Sequence, residues 1–255
     1  MDVAAGDGWR WFGKMSLVPV SALTRTIGFS AAGIVTVSLA LGIPLALRPS
    51  SDTRPVIYAM PQVLALAVIV GVPLGAFFSL GGRVIGRRSA AAVVALAVGC
   101  SAVSMAMLNS LVPAANRAAR EASGVTGAPA PNEMTLSELR QQRDEATRIG
   151  DLERGRSLGV YYHTRWALSC MPLAFIVLAL SIVTWREVSR LTLFLVFGLG
   201  LASYAVLVRE GIQAGLSGSL PAIIAAWIPN LAFGSLAAAV VSLRRRTWRI
   251  GTQES

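Results

Sequence analysis

Charge is what this chain has least of. Its 23 basic and 13 acidic residues make up 14% of 255 positions, against about one quarter in a soluble domain. Hydrophobic residues fill 54% of the sequence and mean hydropathy is +0.61. Too few polar side chains remain to wrap that much apolar chain in a water-facing surface, which excludes a soluble globular fold. Histidine is reduced to His163, with no Cys, Asp or Glu within helical reach on the same turn. A metal site or a catalytic dyad therefore has no basis there, and His163 reads as a polar group at the mouth of a helix. The two cysteines, Cys100 and Cys170, both fall inside apolar runs, so they act as small apolar residues and imply no disulfide framework. Gly8, Gly13 and Lys14 reproduce the spacing of a phosphate loop, but Met15 stands where a Ser or Thr must hold magnesium, and bulky Trp9, Trp11 and Phe12 fill the loop. No cofactor is implied, and no paired carboxylates or nucleophile with a base support an intramembrane enzyme.

What is present is a set of six long stretches free of charge: Thr26 to Leu47, Pro55 to Gly82, Ser89 to Asn116, Trp166 to Trp185, Leu191 to Val208 and Gly211 to Leu243. About 20 helical residues cross a hydrocarbon core roughly 30 Å thick, so each stretch accommodates one span and none accommodates two. Lipid cannot satisfy an open backbone, and these runs lack the polar alternation of barrel strands, so the expected fold is all-α, a polytopic membrane protein with six transmembrane helices. The first run follows Arg10, Lys14 and Arg25 and has no Ala-x-Ala site before the next charge, so it is expected to remain as an anchor.

Arginine and lysine set the expected orientation. One side carries Arg10, Lys14, Arg25, Arg83, Arg87, Arg88, Arg186, Arg190, Arg244, Arg245, Arg246 and Arg249, and the short turns opposite carry only Arg48, Arg54 and Arg209. The positive-inside rule places both termini in the cytoplasm. The same basic rim, lying beside anionic headgroups, accounts for the net charge of +10 without nucleic acid.

The chain divides into an interfacial segment at 1–26, helices one to three within 27–112, an outer connection at 113–165, helices four to six within 166–243, and a basic tail at 244–255. Trp9, Trp11 and Phe12 with Arg10 and Lys14 suit a short interfacial helix. Pro44, Pro61, Pro73, Pro172, Pro221 and Pro229 punctuate the spans, and Gly71 with Gly75 forms a small-xxx-small pair that predicts close helix packing. In the outer connection, Ser123 to Asn132 is rich in Gly, Pro and Ala. Thr135 and Glu138 after it have capping-box spacing, and Leu136, Leu139, Ala146 and Ile149 share one face, predicting an amphipathic helix over about 135–150. No Asp, Glu, Lys or Arg lies deep in any run, which disfavours an autonomous ion-coupled carrier and leaves any uphill work to a partner.

Three stretches resemble the LptF/LptG (YjgP/YjgQ) permease family, membrane subunits of the lipopolysaccharide-export ABC transporter. LNSLVPAANRAARE, Leu108 to Glu121, is similar to the family's Asn, Val-Pro, Asn-Arg pattern. Met134 to Leu168 is similar to its Ser-Leu-x-Glu-Leu helix and Val-x-x-His-x-Arg-x-Ala entry to the fourth span. SLPAIIAAWIPNLAFG, Ser219 to Gly234, is similar to its Pro-x-x-x-x-x-Trp-x-Pro-Asn signature. Two departures stand out. Only Ala122 to Glu133 separates motifs that flank a periplasmic β-jellyroll in the family, and only Gly81 to Ser89 stands where the family has a coupling helix.

The resemblance implies a permease subunit without an enzyme activity or nucleotide site of its own, in the bacterial inner membrane. Its expected partners are a membrane lipid substrate, a second permease subunit in a homo- or heterodimer, a cytoplasmic ABC ATPase and a periplasmic bridge protein. It also implies lateral opening between the first and fifth helices. Arg48, Arg54, Arg117, Arg165 and Arg209 would meet lipid headgroups at the outer rim, and Arg83, Arg87 and Arg88 would meet the ATPase. The alternative is a non-transporting scaffold that keeps the permease packing.

Overall fold

The computed structural model describes residues 20–46, 54–81, 87–183 and 188–251, and the regular elements among them are all helices, with no strand. The interfacial helix expected from Trp9, Trp11 and Phe12 lies outside the described residues, as do Arg10, Lys14, Arg48, Arg83 and Arg186. Among the described residues, five continuous helical segments are long and apolar enough to cross a membrane: α1 (Val20–Ala46), α2 (Arg54–Leu80), α3 (Arg87–Ala106) continued by α4 (Val112–Ala122), α8 (Arg190–Ser217) and α9 (Ala222–Gly251). The bent pair α6 (Leu152–Ser169) and α7 (Met171–Val183) supplies the sixth span. The amphipathic helix of the outer connection is α5 (Leu136–Arg148).

Small residues set the tightest contact. A Cβ on Gly75 would stand 2.2 Å from the Phe29 carbonyl oxygen, and one on Gly71 2.6 Å from the backbone of Gly33 and Ile34. In hydrocarbon, burial of apolar surface no longer drives helices together, so close backbone approach and dispersion must hold α1 to α2. Hydroxyl hydrogen bonds add to this seam: Thr26 and Ser79 share a buried one of 3.0 Å, and Ser30 Oγ donates to the Val72 carbonyl at 3.4 Å.

Proline explains two irregular spans. Pro113 has no N–H to give inside a helix, and the chain absorbs it with a wide π-type turn over Met107–Leu111, where Val112 N–H reaches back to Met107. The helix therefore continues past Pro113 to Ala122. In the fourth span, Pro172 cannot extend the α6 hydrogen-bond ladder. Cys170 N–H closes on Ala167 O at 3.1 Å, and α7 departs at 42°.

The core gathers where α2, α7, α8 and α9 meet. Phe175 is fully buried and packs against Phe233 at 4.7 Å, Phe197 at 5.5 Å and Tyr204 at 5.6 Å between ring centroids, with Phe77 against Phe197 at 5.3 Å. Tilted and edge-on rings such as these each contribute about 0.5–1.5 kcal/mol beyond their area. The apolar side chains left outside, among them Leu39, Leu199 and Leu236, form the surface a membrane protein turns to lipid.

Candidate functional site

The outer connection folds back on the ends of the helices through a chain of charge-assisted hydrogen bonds. The wide turn before Pro113 carries Asn109, whose Oδ1 accepts the Leu136 N–H at 2.7 Å and so satisfies an otherwise orphaned donor at the start of α5. Thr135 caps the same helix. Its hydroxyl accepts Glu138 N–H at 3.3 Å while Glu138 Oε2 accepts Thr135 N–H at 2.7 Å, the reciprocal box expected from the spacing. One turn beyond Pro113, Asn116 Nδ2 donates to Asn132 O at 2.8 Å and its Oδ1 accepts from Gln62 of α2.

Three arginines then close the loop. Arg117 Nε donates to Glu133 O at 2.9 Å, and its guanidinium pairs with Glu138. Arg120 donates to Val125 O at 3.2 Å, Ala128 O at 2.8 Å and the Glu133 carboxylate at 2.8 Å. Arg165, coming from α6, donates to Pro131 O at 2.7 Å and to Met134 O. Gly124 and Gly127 supply the positive φ, +66° and +122°, that lets Ser123 to Ala130 turn within this short span.

Burial decides which of these contacts carry weight. The Arg120 and Glu133 side chains are 15% and 11% exposed, and removing one partner of such a mostly covered pair costs about 3 kcal/mol, the low end for buried ion pairs. The Arg140–Asp144 and Arg148–Glu145 pairs along α5 are more than half exposed, and such pairs contribute about 0–1 kcal/mol. Burial alone would raise the Glu133 carboxyl. The hydrogen bonds from Arg120 and the Ala130 N–H, with the charges of Arg120 and Arg117, outweigh it and hold the group below the ordinary carboxylate range. Glu138 is held low as well, first by the Thr135 N–H and then, against some desolvation, by the Thr135 hydroxyl and Arg117.

A second polar junction lies within the bundle. Tyr204 of α8 donates to Asn230 Oδ1 at 3.0 Å, and Asn230 Nδ2 donates to Ala167 O at 2.8 Å. Asn230 thus ties α8 and α9 to the carbonyl end of α6, just before that span bends. Glycine brings α8 and α9 together near the Gly218 turn that joins them, where a Cβ on Gly211 would stand 2.3 Å from Ala225 O.

Between these fixed parts, α1 and α8 form the loosely covered flanks. Only 17% of the apolar window of each is buried, against 72% for α2. Both expose rows of large apolar side chains, Val35, Leu39 and Ile43 on α1 and Leu191, Leu195 and Leu199 on α8.

The arginines singled out by sequence are distributed unevenly over this frame. Arg117 and Arg165 come together on the Pro131–Met134 turn, with donors engaged internally. Arg209 is exposed on α8 and makes no hydrogen bond or ion pair within the described residues. Arg54 opens α2, and Arg87 and Arg88 open α3, but their side chains, like Arg48 and Arg83 entirely, lie outside the described residues. Among the described residues no group of three or more His, Cys, Asp or Glu side chains is placed to hold a metal. Sequence reasoning passed over Gln62, Arg120 and Glu133. The only signal for Glu133 was an acidic residue in an otherwise uncharged loop.

Residues 119–244, from within α4 to α9, match the family model described as lipopolysaccharide export system permease LptF/LptG. A comparison with curated proteins finds no match. The matched region contains Arg120, Glu133, Glu138 and Arg165 of the loop closure together with Tyr204 and Asn230 of the junction within the bundle, and this match supports membership of the LptF/LptG permease family.

Proposed function

We propose that this chain is a permease subunit of an ABC-type exporter that moves an anionic, lipopolysaccharide-like lipid out of the bacterial inner membrane, driven by a separate cytoplasmic ATPase. The family match over residues 119–244 is the observation that carries this reading. The exposed apolar flanks α1 and α8 agree with it, because a lipid taken sideways from the bilayer needs a path whose wall is apolar and not already packed. The acyl chains stay in hydrocarbon along that wall while the phosphates reach the outer rim, where Arg48, Arg54 and Arg209 supply charge-assisted hydrogen bonds. Arg117 and Arg165 serve the same rim by holding the connection in shape, and Arg117, about two fifths exposed, keeps donors for a headgroup. A second permease subunit completes the path against α1 and α8. Both termini lie in the cytoplasm, where Arg83, Arg87 and Arg88 face the ATPase, and a periplasmic bridge protein receives the lipid.

A second reading rests on the outer connection itself. It closes on its own arginines over a span too short for a jellyroll, as a non-transporting scaffold with the permease packing would require. One experiment separates the two. The tagged chain is purified from its native membrane in mild detergent, and lipid export is measured with Arg83, Arg87 and Arg88 neutralised together. A permease recovers an ATPase and a second six-helix subunit, and loses export in the triple variant. Recovery of neither, with normal export in a deletion strain, contradicts the proposal.

A further inference from the structure

The α5–α6 hairpin carries a groove of about 740 Å³, inside the range of roughly 300–1,000 Å³ typical of small-molecule sites. Its two ends differ in chemistry. Leu136, Tyr162 and Trp166 line one end and Asp144, Glu145 and Arg148 the other, with Arg140 between them. Antiparallel packing fixes this order. Thr147 lies against Gly155, Arg143 against Gly159, and Arg165 holds Met134, so the start of α5 sits beside Tyr162 and Trp166. That apolar end also marks a boundary in the sequence, since Arg165 is the last charge before the uncharged run that begins at Trp166. Aromatic side chains at such a boundary occupy the membrane interface, and Trp166 is 41% exposed there. The groove therefore starts at the interface and grows more charged as it leaves it, in the same sense as a lipid's own gradient from acyl chain to headgroup.

The charges on the rim select among headgroups. Arg140 and Arg148 face Asp144 and Glu145, two of each sign, so the rim as a whole does not favour an anion. Arg140 and Asp144 sit one helical turn apart, both more than half exposed, and their charged atoms are only 4.0 Å from each other, at the limit of an ion pair. A loose pair of this kind leaves a cation for a phosphate and an anion for an ammonium group, at a spacing of about 6 Å along the helix. Arg143, stacked over the Tyr162 ring at 5.6 Å, donates from two nitrogens to Asp144 Oδ1 at 2.6 and 2.9 Å, which fixes the wall and leaves Oδ2, the oxygen nearest Arg140, as the acceptor for an ammonium group.

We propose that this groove binds the glycerol and headgroup of a zwitterionic aminophospholipid of the outer leaflet, with Arg140 on its phosphate, Asp144 on its ammonium and Trp166 against its upper acyl carbons. The site is separate from the path for an anionic exported lipid and does not depend on the chain's being an exporter.

The test uses the full chain in nanodiscs of equal phosphatidylethanolamine and phosphatidylglycerol with identical acyl chains, with retained lipids read by native mass spectrometry. Wild-type protein retains phosphatidylethanolamine in excess. Trp166→Ala lowers that retention about tenfold with an unchanged melting midpoint, and Asp144→Lys turns the preference toward phosphatidylglycerol. Equal retention of both lipids by wild-type protein overturns the proposal, as does unchanged retention in both variants. Both substitutions fall on partly exposed side chains, so helical content by circular dichroism confirms folding in each sample before retention is compared.

Discussion

The outer closure and the α1 flank are held in opposite ways. In the closure, Arg117 and Arg165 reach carbonyls 16 and 34 residues away, Arg120 reaches carbonyls and a carboxylate of the loop that follows it, and nearly every strong contact is directional. Helix α1 is held to α2 by the absence of side chains at Gly33, Gly71 and Gly75, with two hydroxyl contacts beside them. Water competes for hydrogen bonds outside the bilayer, so a short loop there needs charge-assisted ones to stay closed. Hydrocarbon does not compete, and shape alone holds two helices together. A seam built on shape over one face leaves the other face of α1 free for lipid or a second subunit, whereas the closure has its polar groups engaged inward.

Substitutions that break this contrast rank by how much each stranded group has lost. Glu133→Ala leaves the partly buried Arg120 guanidinium with the Val125 and Ala128 carbonyls but without its carboxylate and should cost about 3 kcal/mol, read as a lower thermal midpoint in detergent and faster proteolysis within 123–135. Gly75→Leu drives a side chain into the Phe29 carbonyl. It should cost about 3 kcal/mol and free α1 while leaving that proteolysis pattern unchanged, which shows that the two regions are independent. Asn230→Leu removes the bridge between Tyr204 and the Ala167 carbonyl and should cost about 1–2 kcal/mol, with Tyr204→Phe at the lower end of that range.

Acid gives a finer probe of the closure. Glu133 and Glu138 are both held below the ordinary carboxylate range in the folded chain. A depressed folded-state value means that their contribution is complete above the unfolded value of about 4.3 and is lost as pH falls through the folded value. Wild-type protein should therefore keep a level melting midpoint from neutral pH to about 5 and lose stability below it. Glu133→Gln should start lower and show a shallower acid decline. The smallest effect belongs to Arg209→Gln. With no partner among the described residues, it should change stability by less than about 0.5 kcal/mol and act only on handling of the anionic lipid.

The fold was legible where a single physical rule governs. Charge-free length predicted the spans, Gly71 and Gly75 predicted a close seam, and Thr135 with Glu138 predicted α5. Charge marks where an apolar run ends, but not where its helix ends. Helix α8 passes through Arg209 and Glu210 to Ser217, and α6 begins at Leu152, well before the fourth uncharged run. Ile149, expected on the apolar face of α5, is 65% exposed, because the helix stops at Arg148 and Gly150 turns the chain with φ +81°. The site was less legible. Asn109, Asn116 and Asn230 lay in recognisable motifs, but each has a backbone partner far along the chain, and a backbone group is carried by any residue, so no sequence signal names it. Arg120 and Glu133 became a pair only because the loop between them folds back.

The measurement that tests the account most directly is site-specific photo-cross-linking in native membranes, with a probe replacing Leu39 on α1, Leu199 on α8 or, as a lipid-facing control, Leu236 on α9. Leu39 and Leu199 should give adducts with a second six-helix subunit while Leu236 gives lipid adducts only. Equal protein adducts at all three positions, or none at any while lipid export continues, would contradict it.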